Sequence, residues 1–155
     1  MSYAHKKIHT HDVVTCLNAV LANEYALFTK TLNYHWNITG PRFHGLHPFL
    51  EAQYRELLEV MDNVAERVRI LDARPISTVK DMYSHMEIRD GESKTPSAET
   101  MLQNLMEDHT SIQNQIKEII GDEHRFKDDK GSEDLLVSLL RTHEKMGWML
   151  RAHIV

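Results

Sequence analysis

The sequence predicts an all-α protein, a bundle of four long helices with one long central crossover. Three observations carry that expectation. Apolar residues recur at three- and four-residue spacing in four blocks, no alternating β pattern competes with them, and about two dozen residues, 72–94, separate the second block from the third. The 155 residues, 41% hydrophobic and 26% charged, suit one domain with an ordinary core.

The first helix is expected from about Asp12 to Ile38, with Val13, Leu17, Val20, Leu21, Phe28, Leu32 and Trp36 on one side. Gly40–Pro41 cannot continue a helix and ends it. The second starts between Phe43 and Pro48, a proline tolerable in a first turn, and reaches Leu71 along Leu46, Leu50, Leu57, Met61, Val64 and Val68. Thr95–Pro96 reads as a cap and a proline start for the third, whose stripe Leu102, Leu105, His109, Ile112, Ile116 and Ile119 runs to Gly121. The fourth opens near Ser132 and carries Leu135/Leu136, Leu139/Leu140, His143, Gly147 and Leu150. The short first connection makes its two helices antiparallel neighbours. The second connection is too long for a hairpin loop and holds a short helix at Thr78–Tyr83. Met1–His11 is read as an N-terminal tail and 12–155 as one ferritin-like four-helix bundle, because a single long central crossover distinguishes that arrangement from a simple up-and-down bundle.

Composition narrows function. Eighteen basic and 23 acidic side chains give a formal charge of −5, which argues against a nucleic-acid clamp or a membrane-surface helix. No apolar run approaches the roughly 20 residues of a membrane span, and the polar start lacks the pattern of a signal peptide. The single cysteine, Cys16, excludes an internal disulfide and fits a reducing cytoplasm. Eleven histidines direct attention to metal or proton chemistry.

The second helix places His47 and Glu51 four residues apart, then Asp62 and Glu66 four apart, all within an arc of about 100° that borders the apolar stripe. Each pair shares a face suited to one metal ion. Yet His47 and Asp62 lie fifteen residues apart, roughly 22 Å along a straight helix, whereas ligand bonds are about 2.0–2.3 Å. One chain cannot close both pairs on one ion. Antiparallel second helices in a two-fold dimer can, with Tyr54, Leu58 and Ala65 widening the apolar edge at the contact. His35, folded back by the turn 37–44, is the expected third donor. Two imidazoles and three carboxylates suit ferrous iron, and also zinc or manganese, but not copper(I). Zinc would compete without turning over. A solvated helix face shows the same acidic spacing, and a lone apolar-face histidine is commonly a hydrogen-bonded core residue, so spacing alone leaves both readings open. The zinc protease pattern His-Glu-x-x-His is absent, as is any Glu-x-x-His.

The run Asn33-Tyr-His-Trp-Asn-Ile-Thr-Gly-Pro-Arg-Phe-His-Gly-Leu-His47 resembles the signature of the Dps family, the DNA-binding proteins from starved cells or mini-ferritins. Asp62-Asn-Val-Ala-Glu-Arg67 matches that family's next segment, and Trp148-Met-Leu-Arg-Ala-His153 its closing helix. The resemblance implies a hollow homo-oligomeric shell of twelve subunits with ferroxidase centres at two-fold interfaces. It implies that His35, His47 and Glu51 of one subunit and Asp62 and Glu66 of its mate bind iron, with aspartate the more usual residue at position 51. The implied activity is oxidation of ferrous iron, preferably by hydrogen peroxide, and storage of the ferric mineral, protecting the cell from oxidative stress. Trp36 is a candidate radical trap, with plain packing as its ordinary role.

Further expectations attach to the surface. The acidic stretch Asp122, Glu123, Asp128, Asp129, Glu133 and Asp134 corresponds to the family's three-fold pore, where Asp134 fits best; a solvated loop is the plain alternative. Glu59 is a candidate for mineral nucleation. Twelve chains at −5 repel phosphate, so DNA binding is expected to be weak or absent near pH 8, with His5, His9 and His11 able to charge toward about pH 6. His109, His143 and His153 sit at helical core or edge positions and receive no role. The rival from another functional class is a non-catalytic, DNA-compacting or structural shell holding zinc.

Overall fold

A computed structural model describes residues 3–154, with side chains from Thr10 onward, and among these no strand occurs. The elements are α1 (Tyr3–Asn37), α2 (Phe43–Ile70), α3 (Val79–His85), α4 (Ala98–Ile120) and α5 (Lys130–Ala152). The four long helices pack mainly in pairs, α1 with α2 and α4 with α5, while α3 lies in the crossover against α1. No described helix is long and apolar enough to cross a membrane. The expected roles of His5 and His9 concern side chains outside those described.

Boundaries differ from expectation where polar sequence hides them. α1 starts at Tyr3, not near Asp12, because residues 3–11 carry no apolar stripe to mark a helix. Ser97, not Thr95, caps α4 by accepting from Thr100 N at 3.2 Å. Asp129 caps α5, which opens two residues before Ser132. The crossover helix begins one residue after its cap, Thr78, and ends two residues beyond Tyr83.

The core follows the expected stripes except on α1, where Leu27 is buried and Phe28 and Leu32 only partly so. Leu17, Leu27, Leu50, Leu57, Val64, Leu105, Ile112, Ile116, Leu136 and Leu150 are all fully buried. Burying one such side chain stabilises the fold by about 1.5–3 kcal/mol relative to leaving it exposed. Trp36 departs from that stripe. One residue beyond buried His35, it is turned about 100° around α1, and its indole is 69% exposed.

Polar residues of α1 fix the crossover. Asn23 Oδ1 accepts from Glu87 N and Ile88 N at 2.8 and 3.1 Å, and Asn18 Oδ1 accepts from Ile76 N at 3.1 Å. A long loop is thereby given backbone partners it lacks internally. At the end of α2, Asp72 N donates to Arg69 O and Ala73 N to Val68 O, a Schellman ending with Asp72 at φ 60. The first connection instead turns on Gly40, whose φ of +99 suits only glycine comfortably. That turn brings the start of α2 back beside the end of α1.

Candidate metal centre

His35 stands in the last turn of α1 and His47 near the start of α2. Their rings are locked reciprocally. His35 Nδ1–H donates to the His47 carbonyl at 2.8 Å, and His47 Nδ1–H donates to the His35 carbonyl at 2.9 Å. A carbonyl can only accept, so Nδ1 carries the proton in both rings, and a neutral ring then keeps its lone pair on Nε2. The rings stack at 3.9 Å with 21° between their planes. Tyr54 meets His35 edge-on at 5.2 Å, and Phe43 stacks on His47 at 4.9 Å. The sequence sets a glycine turn, the turn sets the pairing, and the pairing leaves two Nε2 atoms as candidate donors held against aromatic walls.

Glu51 lies one turn after His47 and is partly exposed. Its Oε1 accepts from Arg55 Nη2 at 2.6 Å and from Arg55 Nε at 2.9 Å. Those hydrogen bonds hold its carboxyl below the ordinary glutamate range, with the Arg55 charge and the two imidazoles adding to the effect. Asp62 and Glu66 lie farther along the same unbroken helix, both exposed. Leu58, between the two pairs and in the same arc, is 52% exposed. Among the described residues of one chain, no three His, Cys, Asp or Glu side chains are gathered to hold a metal ion. The chain thus brings His35 and His47 together, whereas Glu51 is paired with Arg55 one turn on and Asp62 and Glu66 lie farther along α2.

Asp134 is exposed near the start of α5. Several acids of the neighbouring loop are already engaged: Asp122 with Arg125 at 3.6 Å, Asp129 with Arg67 at 2.6 Å, and Glu133 with Lys130 at 2.6 Å. Two residues escaped the sequence reading. Arg55 holds Glu51, and its i,i+4 spacing from that glutamate was the available signal. Arg67 ties α2 to α5 through Asp129 and through Ser132 Oγ at 2.9 Å, and it presses so closely on Gly131 that a Cβ there would lie 2.8 Å from its guanidinium. No local spacing announces a contact across more than sixty residues.

The ferritin-like domain family matches residues 14–155. A protein named DNA protection during starvation protein 2, from Bacillus anthracis, is 32% identical over 143 residues, which cover 92% of this chain and 97% of that one. The chain belongs to the Dps family of ferritin-like proteins. An uncharacterised low temperature-induced protein of Nostoc is 37% identical over 145 residues, covering 92% of this chain and 79% of that one. Among solved structures, the Dps protein of Vibrio cholerae O1, described as a ferritin-like diiron-carboxylate protein, superposes with a TM-score of 0.88. It is 27% identical, over 96% of this chain and 92% of that one. As a Dps family member, this chain shares their helical bundle, and its His35/His47 pair lies within the stretch aligned.

Proposed function

We propose that this Dps protein is a ferroxidase and iron-storage shell whose iron sites are completed between subunits. The observation that carries the reading is the reciprocal lock of His35 and His47, because it leaves both Nε2 lone pairs for a metal ion. Glu51 supplies a carboxylate from the same chain. Asp62 and Glu66 of a second copy supply the rest when the two α2 helices meet antiparallel across exposed Leu58. The diiron-carboxylate description of the Vibrio cholerae relative supports iron as the substrate. This mixed nitrogen and oxygen donor set suits ferrous iron, with zinc as a non-reacting competitor.

The chemistry asks for paired ions. Two ferrous ions each give one electron to hydrogen peroxide, its O–O bond breaks, and two hydroxide ions form with two ferric ions. No one-electron step releases a hydroxyl radical. Carboxylates stabilise the ferric product, which moves on into the shell as mineral, with Glu59 as a nucleation point. Trp36, exposed beside His35, is placed to intercept stray oxidising equivalents. The shell has twelve subunits, with Asp134 lining a three-fold entry for cations. It works in the cytoplasm and protects DNA by consuming iron and peroxide rather than by gripping phosphate, since −5 per chain opposes DNA binding at neutral pH.

Anaerobic titration with ferrous iron followed by peroxide tests this. Fast ferric absorbance is expected in the native protein, and its loss in a His35→Ala/His47→Ala variant that light scattering shows to be assembled. An assembled native shell that binds zinc and never oxidises iron would establish the rival structural role. A gel shift at pH 8 and pH 6 tests the DNA statement; tight retention at both contradicts it.

A further inference from the structure

Glu24 on α1, His143 on α5 and His109 on α4 are fully buried and joined in a line through the bundle. Glu24 Oε1 lies 2.6 Å from His143 Nε2, and His143 Nδ1 lies 2.9 Å from His109 Nδ1. The atoms at the two ends, Glu24 Oε2 and His109 Nε2, have no partner among the described residues. From α2, uncharged and buried Gln53 donates to the Met146 carbonyl at 3.4 Å, one turn from His143. The charged groups on the packed faces of α1 and α4, Lys30 and Asp108, are bonded to each other at 2.7 Å. Nothing among these neighbours is left over to neutralise Glu24.

A hydrogen bond between two ring nitrogens needs one donor and one acceptor, so the proton positions along this line are coupled. Burial, and secondarily the neighbouring His143, push His109 well below its ordinary range and keep it neutral. Two arrangements remain. In one, His109 Nδ1–H donates to His143, and His143 Nε2–H donates to the Glu24 carboxylate; the line holds two protons and a net charge of −1. In the other, His109 carries its proton on Nε2 and accepts from His143 Nδ1–H, while Glu24 and His143 share one more between Oε1 and Nε2. That form holds three protons and is neutral.

We infer that Glu24, His143 and His109 form a proton-binding relay inside each subunit, taking up and releasing one proton along a line that crosses three helices. Loading adds a proton at His109 Nε2. The proton on His109 Nδ1 moves to His143 Nδ1, and the proton on His143 Nε2 moves to, or is shared with, Glu24 Oε1. One N–H bond forms as each neighbouring one breaks, and no electrons change hands. The three-proton form avoids an uncompensated carboxylate in apolar surroundings, which is costly. Both ends are buried, so the line exchanges its proton with solvent through local opening of the bundle. None of the five proposed iron ligands takes part, so the relay stands independently of the iron reading.

The test is pH-difference infrared spectroscopy on the assembled, full-length protein with glutamate carbons isotopically labelled. One carboxylic-acid band and one imidazole band are expected to titrate together, and potentiometry to find one fewer coupled proton per chain in Glu24→Gln. His109→Gln should leave the carboxyl band but uncouple it from the ring. Should Glu24→Gln fail to fold, the labelled native spectrum still decides. Bands that titrate independently, or no buried carboxyl band at any pH at which the shell persists, would overturn the relay. So would a zinc ion held one per chain by His35→Ala/His47→Ala and lost on adding Glu24→Gln.

Discussion

Two histidine pairs join helices in this molecule, and they do it in opposite ways. At the end of the bundle, His35 and His47 each spend Nδ1 on the other's backbone carbonyl at 2.8 and 2.9 Å. In the core, His109 and His143 spend Nδ1 on one another at 2.9 Å. A carbonyl dictates where the proton sits; a second ring nitrogen does not. The first pair therefore has a fixed tautomer and an Nε2 free of these hydrogen bonds on each ring, as the proposed metal binding requires. The second has a proton that can move, and its outer nitrogens lead to Glu24 and to an unpartnered end. Burial sharpens the contrast, since His47 is half-buried whereas His109 and His143 are sealed.

The largest effect should come from breaking the core pair's anchor. Glu24→Leu leaves a polar imidazole facing apolar side chains, and an unsatisfied buried donor costs about 1–3 kcal/mol. Urea denaturation at fixed protein concentration measures it, with the concentration held because assembly and folding are linked. Replacing the whole line, Glu24→Leu/His143→Leu/His109→Leu, should recover much of the loss, since apolar replacement of a complete buried polar set is often neutral, whereas the double variant would strand His109. Ferrous oxidation per assembled shell should be unchanged in both. A single variant as stable as the native protein would mean that the buried line contributes no stability.

The second effect inverts that pattern. His47→Ala removes a donor, and even an outer-shell partner is worth about 10–100-fold in metal affinity, so at least that loss is expected in anaerobic ferrous titrations. Stability should change much less than in Glu24→Leu. Equal ferrous affinity in native and variant protein would remove the metal role from this pair.

The sequence made one of these pairs legible and not the other, for a physical reason. His35, His47 and Glu51 are close in sequence around a glycine turn, so local spacing reports their proximity. Fold and core were legible likewise, since a helical stripe such as Leu102, Leu105, Ile112 and Ile116 needs only its own period. The Glu24–His143 contact spans 119 residues, and each member alone resembles an ordinary stripe position. Arg67–Asp129 was hidden similarly: the acid read as part of a solvated or pore-lining loop, whereas it is the cap of α5. Trp36 shows the converse error, a large apolar residue assigned inward by period that faces solvent in the single chain.

That cap offers a case of intermediate burial between the two histidine pairs. Burial pushes the Asp129 carboxyl up, but hydrogen bonds from Ser132 and the Arg67 guanidinium outweigh it and hold the group below its ordinary range. Its stabilisation is therefore complete above the unfolded value of about 3.9 and is lost as pH falls through the lower folded value. Asp129→Ala should cost about 1–2 kcal/mol near pH 7. The difference from native protein, read as urea midpoints, should shrink as pH falls through the lowered folded value. A difference that stays constant with pH would assign the effect to the helix propensity of alanine and not to the charged cap.

The smallest effect lies at the open end, where solvent screens every charge. Both Arg55 hydrogen bonds fall on Glu51 Oε1, so ferrous iron can take Oε2 but meets the arginine's charge beside it. Exposed pairs of this spacing contribute little, so Arg55→Ala should raise ferrous affinity by only a few-fold. The gain should be clearest at low ionic strength and fade toward about 1 M salt, where the Debye length falls to about 3 Å. Weaker binding in Arg55→Ala would reverse the assignment: the arginine would then be orienting the carboxylate for the metal, and Glu51 would owe its position to its neighbour as the core histidines owe theirs to each other.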